Sequence, residues 1–193
     1  MRVSETIRSL REIFDEVDRQ ASVFSARTGV RCPDGCGACC ADSHVDTTVI
    51  EMLPLAERIW SQGMAGAVLE RLRCAGEGLC VFYESGPAPV SGGRCGAYQD
   101  RPLICRLFGF FTSRDKHGRY VYGSCRRIRE QLPDAYQRAS KLIAEGFHPS
   151  PMTDYSIRVL AMDSNLGRDL IPINRAMRIA LERFGLDASY DPG

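Results

Sequence analysis

The sequence predicts a mainly α-helical fold with small β-hairpin elements, in which helices flank a metal-organised cysteine-cluster domain. Apolar residues recur at helical spacing near both ends of the chain. All nine cysteines lie between residues 32 and 125, among short β-like runs and glycine-containing loops. We therefore predict an N-terminal helix (1–29), a cysteine-cluster metal-binding domain (30–126) and a C-terminal helical region (127–193), packed as a single compact unit.

The first predicted element is an amphipathic helix over residues 3–27. Ser4 is the expected N-cap, and Gly29 is a natural stop. The apolar stripe alternates spacings of four and three and consists of Val3, Ile7, Leu10, Phe14, Val17, Ala21 and Phe24. This stripe favours docking on the rest of the chain, and its heptad spacing leaves a homodimer through the helix as the alternative.

The remaining elements are shorter. Residues 31–46 should form a loop, after which the capping-box pattern from Thr48 to Glu51 opens a second helix that Pro54 delays or bends. Further helices are expected at 65–74, 101–108, 125–145 with a break at Pro133, 154–162 and 173–184. Short strands are expected at 79–83, 94–98 and 119–122, with a surface loop at 85–93 between the first two.

Composition limits the classes of function. The 193 residues carry a formal net charge of +1, so no global field favours nucleic acid or an anionic membrane. No stretch approaches the ~20 apolar residues of a membrane span, and the acidic N-terminus does not resemble a signal peptide. We expect a cytoplasmic protein, where a reducing environment and an odd cysteine count argue against a disulfide framework. A redox or other protein partner remains unspecified.

The cysteine spacing indicates metal ligation. Four thiols fall within nine residues at Cys32, Cys36, Cys39 and Cys40, on a loop containing Gly35 and Gly37. Side chains of adjacent residues diverge, so Cys39 and Cys40 suit two sites or one multinuclear cluster better than one metal ion. Eight ligands would complete two four-cysteine sites. The predicted ligands are Cys32, Cys36, Cys39, Cys40, Cys80, Cys95, Cys105 and Cys125, with Cys74 left over.

Arginines near the predicted ligands could balance the negative charge of a four-thiolate site. Arg101 and Arg106 flank Cys105, and Arg126 follows Cys125. We expect Arg101 and Arg106 to donate hydrogen bonds to the cofactor sulfurs. The alternative is that Arg101 pairs with a nearby carboxylate, Asp100 or Glu84.

Two motifs resemble the YkgJ-type family, a zinc- or iron-chelating domain with a C-x3-C-x2-C-C motif. Cys32 to Cys40 match that motif, and residues 95–106 match a second signature, C-x2-Y-x2-R-P-x2-C-R. The resemblance spans about residues 30–126 and implies metal binding. A relative resembles the flagellin lysine N-methylase, which is linked to an iron–sulfur cluster. This makes an S-adenosylmethionine-dependent protein lysine methylase-like enzyme one alternative.

The ligand pattern favours iron–sulfur clusters with a redox or modification role, and the ligand count predicts 4Fe-4S units. Structural zinc sites usually show paired C-x2-C knuckles, and here the one C-x2-C lies inside a denser cluster. Zinc in a structural interaction module is the alternative. The spacing from Cys32 to Cys39 is also similar to the radical S-adenosylmethionine motif, but Ala38 replaces its aromatic residue. His44, His117 and His148 are not expected to be ligands.

Overall fold

The computed structural model describes residues 3–32, 36–86, 93–149 and 151–190. It is mainly helical, with small antiparallel strand pairs, so the predicted fold class is confirmed. Pro33 and Gly35 of the first cysteine loop, and most of the predicted surface loop 85–93, lie outside the described residues. No helix in the described ranges is long and apolar enough to cross a membrane.

Helices make up most of the fold, and several begin where the sequence predicts. They are α1 (Val3–Thr28), α2 (Leu53–Ser61), α3 (Ala65–Ala75), α4 (Leu103–Leu107), α5 (Arg126–Gln131), α6 (Pro133–Ala144), α7 (Met152–Met162), α8 (Ser164–Gly167) and α9 (Ile173–Tyr190). Pro54 lies in the first turn of α2, which follows a short 3-10 helix at Ile50–Met52. Pro133 opens α6, so the predicted break in the segment 125–145 is confirmed.

The strands form three short antiparallel pairs in the described residues. The strands are β1 (Asp46–Thr47), β2 (Tyr83–Glu84), β3 (Arg94–Cys95), β4 (Phe111–Arg114), β5 (Tyr120–Gly123) and β6 (Ile171–Pro172). β2 pairs with β3, with Tyr83 opposite Cys95, as the hairpin prediction requires. The sequence did not reveal β4, which pairs with β5, or the pairing of β1 with β6.

Helix α1 packs against the rest of the chain through its predicted apolar stripe. Ile7, Leu10, Phe14 and Val17 are buried in the larger of two hydrophobic cores, which α2 and α9 also line. Ser4 lies inside the helix, which already includes Val3, so its assignment as the N-cap is wrong.

A smaller hydrophobic core lies near the C-terminal end of α1. Phe24 packs there with Ile128 of α5 and with Ala139 and Ile143 of α6. Gly29 ends α1 with a φ of 76°, a conformation that glycine adopts without strain. One helix therefore contributes to both cores, and the cysteine cluster lies beside both.

Candidate metal centre

Seven of the eight predicted ligands line one cavity of about 440 Å³. These seven are Cys32, Cys36, Cys39, Cys40, Cys80, Cys95 and Cys105. All nine cysteines of the chain are free thiols. The fold thus gathers thiols from the first loop, the β2–β3 hairpin and α4 around a common space.

A tight turn places Cys39 and Cys40 at this cavity. The backbone N–H groups of Cys40 and Ala41 both donate to the carbonyl of Gly37, at 3.0 and 2.9 Å. The two neighbouring thiols interact with each other at this turn, and both line the same cavity. That they serve two sites or one multinuclear cluster stays a prediction.

The β2–β3 hairpin brings Cys80 and Cys95 to the cavity. Gly96 N–H donates to the carbonyl of Phe82 at 2.8 Å, which extends the pairing. Backbone N–H groups point at both sulfurs: those of Phe82 and Tyr83 at Cys80, and that of Ala97 at Cys95. Such N–H donors stabilise thiolate charge, and they surround sulfur atoms in metal centres.

Cys125 lies at the edge of the cluster, as the N-cap of α5. Its sulfur accepts a hydrogen bond from the backbone N–H of Ile128 at 3.4 Å. It also interacts electrostatically with Cys32, whose pKa is raised to about 12 by burial and then by Cys36. Cys125 packs against the smaller core, whereas Cys80, Cys95 and Cys105 pack against the larger one.

Cys74 and the histidines lie apart from the cavity. Cys74 is exposed on α3, where its thiol donates to Glu70 at 3.6 Å. His44 is exposed and lies 3.2 Å from Asp42.

Hydrogen bonding among the thiols divides them by acidity. Interaction with the Cys40 thiol lowers the pKa of Cys39 to about 6 and that of Cys95 to about 7, despite partial burial. The same two interactions raise the pKa of Cys40. Burial raises the pKa of Cys80 to about 11 and that of Cys105 to about 12. Cys39 and Cys95 therefore favour the thiolate form, which binds metal.

The two predicted arginines differ in their surroundings. Arg101 contributes to lowering the pKa of Cys39 and Cys95, so its charge reaches the cluster. It stacks on Tyr98 at 3.8 Å and donates to Asp18 at 3.3 Å. It therefore pairs with a carboxylate from α1. The alternative considered from the sequence was a pair with Asp100 or Glu84, which does not form.

Arg106 is buried, and its guanidinium is held mainly by α1 and by backbone oxygens. It donates to Asp18, to the carbonyl of Gln99 and, at 2.8 Å, to the carbonyl of Arg101. It also lies 4.3 Å from the ring centre of Phe14. The proposed hydrogen bond from Arg106 to cofactor sulfur stays a prediction. The side chain of Arg126 is 82% exposed and lies 3.5 Å from Glu130.

Two residues that the sequence analysis did not assign to the site hold segments carrying cysteines. The buried Asn174 of α9 accepts from Val81 N–H at 3.1 Å and donates to the carbonyls of Gly76 and Leu79, each at 3.0 Å. These bonds fix the loop that carries Cys80.

Glu51 holds the N-terminal end of α4 in place in a similar way. Its carboxylate accepts from the N–H of Leu103 at 2.7 Å and from the Thr48 hydroxyl at 2.7 Å. Burial raises the pKa of Glu51. The Thr48–Glu51 pattern was predicted to open its own helix, and a 3-10 helix does begin at Ile50, with Glu51 bonded to Thr48. Glu51 in addition caps the helix that carries Cys105.

The donor set fits a thiolate-ligated metal. Thiolates are the ligands that zinc and iron–sulfur clusters take, and the N–H groups around them are the expected partners of bound sulfur. Among the described residues, no three His, Cys, Asp or Glu side chains already form a metal-binding arrangement.

Comparison with known families agrees with this chemistry. Residues 31–126 match the CxxCxxCC family, described as "Putative zinc- or iron-chelating domain". Through this segment, the chain belongs to the CxxCxxCC family. The description supports metal binding through cysteines. The family name has two residues between its first two cysteines, whereas this member has three between Cys32 and Cys36. No curated protein and no solved structure matches the chain.

Proposed function

We propose that this member of the CxxCxxCC family binds iron as one or two four-iron clusters. The proposed ligands are Cys32, Cys36, Cys39, Cys40, Cys80, Cys95, Cys105 and Cys125. The observation that carries the proposal is the common cavity lined by seven of these thiols, with Cys125 linked electrostatically to Cys32. A structural zinc ion takes four ligands, so seven thiols around one space favour a multinuclear centre.

The surroundings of the thiols support the same proposal. A four-iron cluster with four thiolates carries net negative charge, which needs compensation in a partly buried site. Backbone N–H groups reach Cys80, Cys95 and Cys125, and the positive charge of Arg101 reaches Cys39 and Cys95. These groups would hold the thiolates and stabilise their charge.

A bound cluster would supply one-electron redox chemistry. The function that follows is electron transfer to a protein partner, or a redox step in the modification of a substrate. We also propose a cytoplasmic location, because reducing conditions keep nine thiols free for metal.

The second candidate is a structural zinc protein. The family description names zinc beside iron, which is the observation that favours it. Zinc would then fix the cluster between the two hydrophobic cores and leave the surface to bind a partner. An iron–sulfur protein is coloured and bleaches on reduction, whereas a zinc protein is colourless.

Single cysteine-to-serine variants test the ligand set. Cys40→Ser and Cys95→Ser should lose metal, because serine is a poor ligand for soft metals. Cys74→Ser is the matched control and should retain the full metal content. Iron, sulfide and zinc per chain are measured after purification without oxygen. Equal loss of metal in Cys74→Ser, or full retention in Cys40→Ser, would refute the proposed ligand set.

A further inference from the structure

A second cavity, of about 470 Å³, adjoins the cysteine cavity. It lies between β1, α4 and α7, and its wall includes Cys39 and Cys105, which also line the cysteine cavity. No proposed metal ligand other than these two borders it. The second cavity is thus a separate space whose inner end reaches the candidate metal centre. A cavity of this size holds a small organic molecule.

The wall of this second cavity is mainly apolar, and part of it is open to solvent. Four large hydrophobic residues that line it are exposed: Phe108 by 43%, Ile157 by 65%, Leu160 by 38% and Leu170 by 67%. Single exposed hydrophobic residues are common on protein surfaces, but a group around one concavity indicates a binding site. These residues come from the C-terminal end of α4, from α7 and from the segment before β6, so the fold assembles the patch.

One buried hydroxyl lies in the wall of this cavity. The hydroxyl of Thr47 has no partner at normal hydrogen-bond geometry within the described ranges. Its weaker hydrogen-bonding contact with Glu51 lowers the pKa of that carboxyl, which already accepts from Thr48 and Leu103. Buried hydroxyls are nearly always hydrogen-bonded, so the exception at Thr47 indicates a missing partner.

The charge at the rim limits the class of ligand. Asp42 and Asp46 are exposed there, and the basic side chains among the described rim residues are both paired: His44 lies 3.2 Å from Asp42, and Arg168 lies 3.5 Å from Asp169. This arrangement disfavours an anion, and no unpaired cation among these rim residues would receive one.

We propose that the second cavity binds a small, neutral, mainly apolar molecule through a single hydrogen bond to Thr47. The bound molecule would lie beside Cys39 and Cys105, next to the candidate metal centre. That this centre holds metal rests on the proposed function, whereas binding itself requires no metal.

Fluorescence titration with N-phenyl-1-naphthylamine tests the inference. This neutral probe has an apolar body and one N–H donor, and its emission rises in an apolar site. The full chain should bind it saturably with one site per chain, both as purified and after removal of metal with a chelator. Thr47→Val, which keeps the side-chain shape and removes the hydroxyl, should weaken binding by about threefold to tenfold, the loss of one hydrogen bond.

A pocket-filling variant separates this cavity from general surface binding. Ser156 lies exposed at the rim on α7, and its hydroxyl bonds to the carbonyl of Met152 in its own helix. Ser156→Trp should therefore fill the space and lower affinity more than tenfold. Ser61→Trp on α2 is the matched control, because Ser61 is also exposed and bonded to its own helix. It should leave binding unchanged.

The outcomes separate this inference from the proposed function. Absence of saturable binding, or equal binding by Ser156→Trp and Ser61→Trp, overturns the inference whatever the metal content. Unchanged affinity in Thr47→Val overturns the assignment of the hydroxyl. Probe binding by a chain that proves to contain no metal supports the inference and refutes only the proposed function.

Discussion

Replacing Asn174 with alanine tests how the fold holds the Cys80 loop. The side chain is buried and makes three good hydrogen bonds, to Val81, Gly76 and Leu79. Loss of the acceptor leaves the buried N–H of Val81 unsatisfied, which costs about 1–3 kcal/mol. The carbonyls of Gly76 and Leu79 belong to exposed residues that water can reach, so each lost bond there costs about 0.5–1 kcal/mol. We expect a total loss of about 2–5 kcal/mol.

The assay is urea unfolding of the metal-free chain, followed by circular dichroism. Asn165→Ala is the matched control, because Asn165 is exposed on α8, and it should change stability by less than about 0.5 kcal/mol. Metal content provides a second readout, since release of the loop should also displace Cys80. An Asn174→Ala variant within about 0.5 kcal/mol of the original chain would refute the reasoning.

Two further predictions concern the thiols and the buried arginine. In the metal-free chain at pH 7.5, iodoacetamide should modify Cys39 well before Cys105, because their pKa values are about 6 and about 12 and the thiolate is the nucleophile. Peptide mass spectrometry reads this order, and the modification rate of Cys39 should itself fall below pH 6, where its thiol becomes protonated. Asp18→Asn should destabilise the chain by about 2 kcal/mol in urea unfolding, because Arg106 stays buried without its carboxylate and Asp18 is itself partly exposed.

One measured outcome would refute the predicted order of thiol modification, and another would refute the predicted effect of Asp18→Asn. Equal modification rates at Cys39 and Cys105 would contradict the acidity assigned to Cys39. For the arginine, Asp15→Asn is the matched control, because Asp15 is an exposed aspartate on the same helix. Equal stabilities of the Asp15→Asn and Asp18→Asn chains would show that the contact with Arg106 contributes nothing measurable.

Local sequence patterns predict several elements of the fold. The apolar stripe of α1, the break at Pro133 and the hairpin that brings Cys80 toward Cys95 all depend on residues close in sequence. Their spacing alone fixes which side chains share a face.

Contacts between distant segments could not be read from the sequence. Asn174 binds a loop more than 90 residues earlier in the chain, and Asp18 meets Arg106 from 88 residues away. Nothing near either residue marks its partner, because polar residues are equally common on solvated helix faces. Glu51 shows the same limit: its capping pattern is local, but its carboxylate caps α4, which begins 52 residues later.

The cysteine site depends both on local sequence patterns and on contacts between distant segments. Count and spacing identified the thiols, but only the fold shows that Cys39 and Cys40 face one cavity and that Cys74 faces solvent. No local sequence pattern indicates the apolar cavity beside them, because its wall comes from four separate segments.

Metal analysis of protein purified without oxygen tests the central claim most directly. Iron, zinc and acid-labile sulfide are measured per chain, together with a visible spectrum before and after reduction. The account predicts about four or eight irons with matching sulfide, and visible absorbance that bleaches on reduction. One or two zinc ions with no sulfide and no visible absorbance would contradict it and assign the cysteines a structural role.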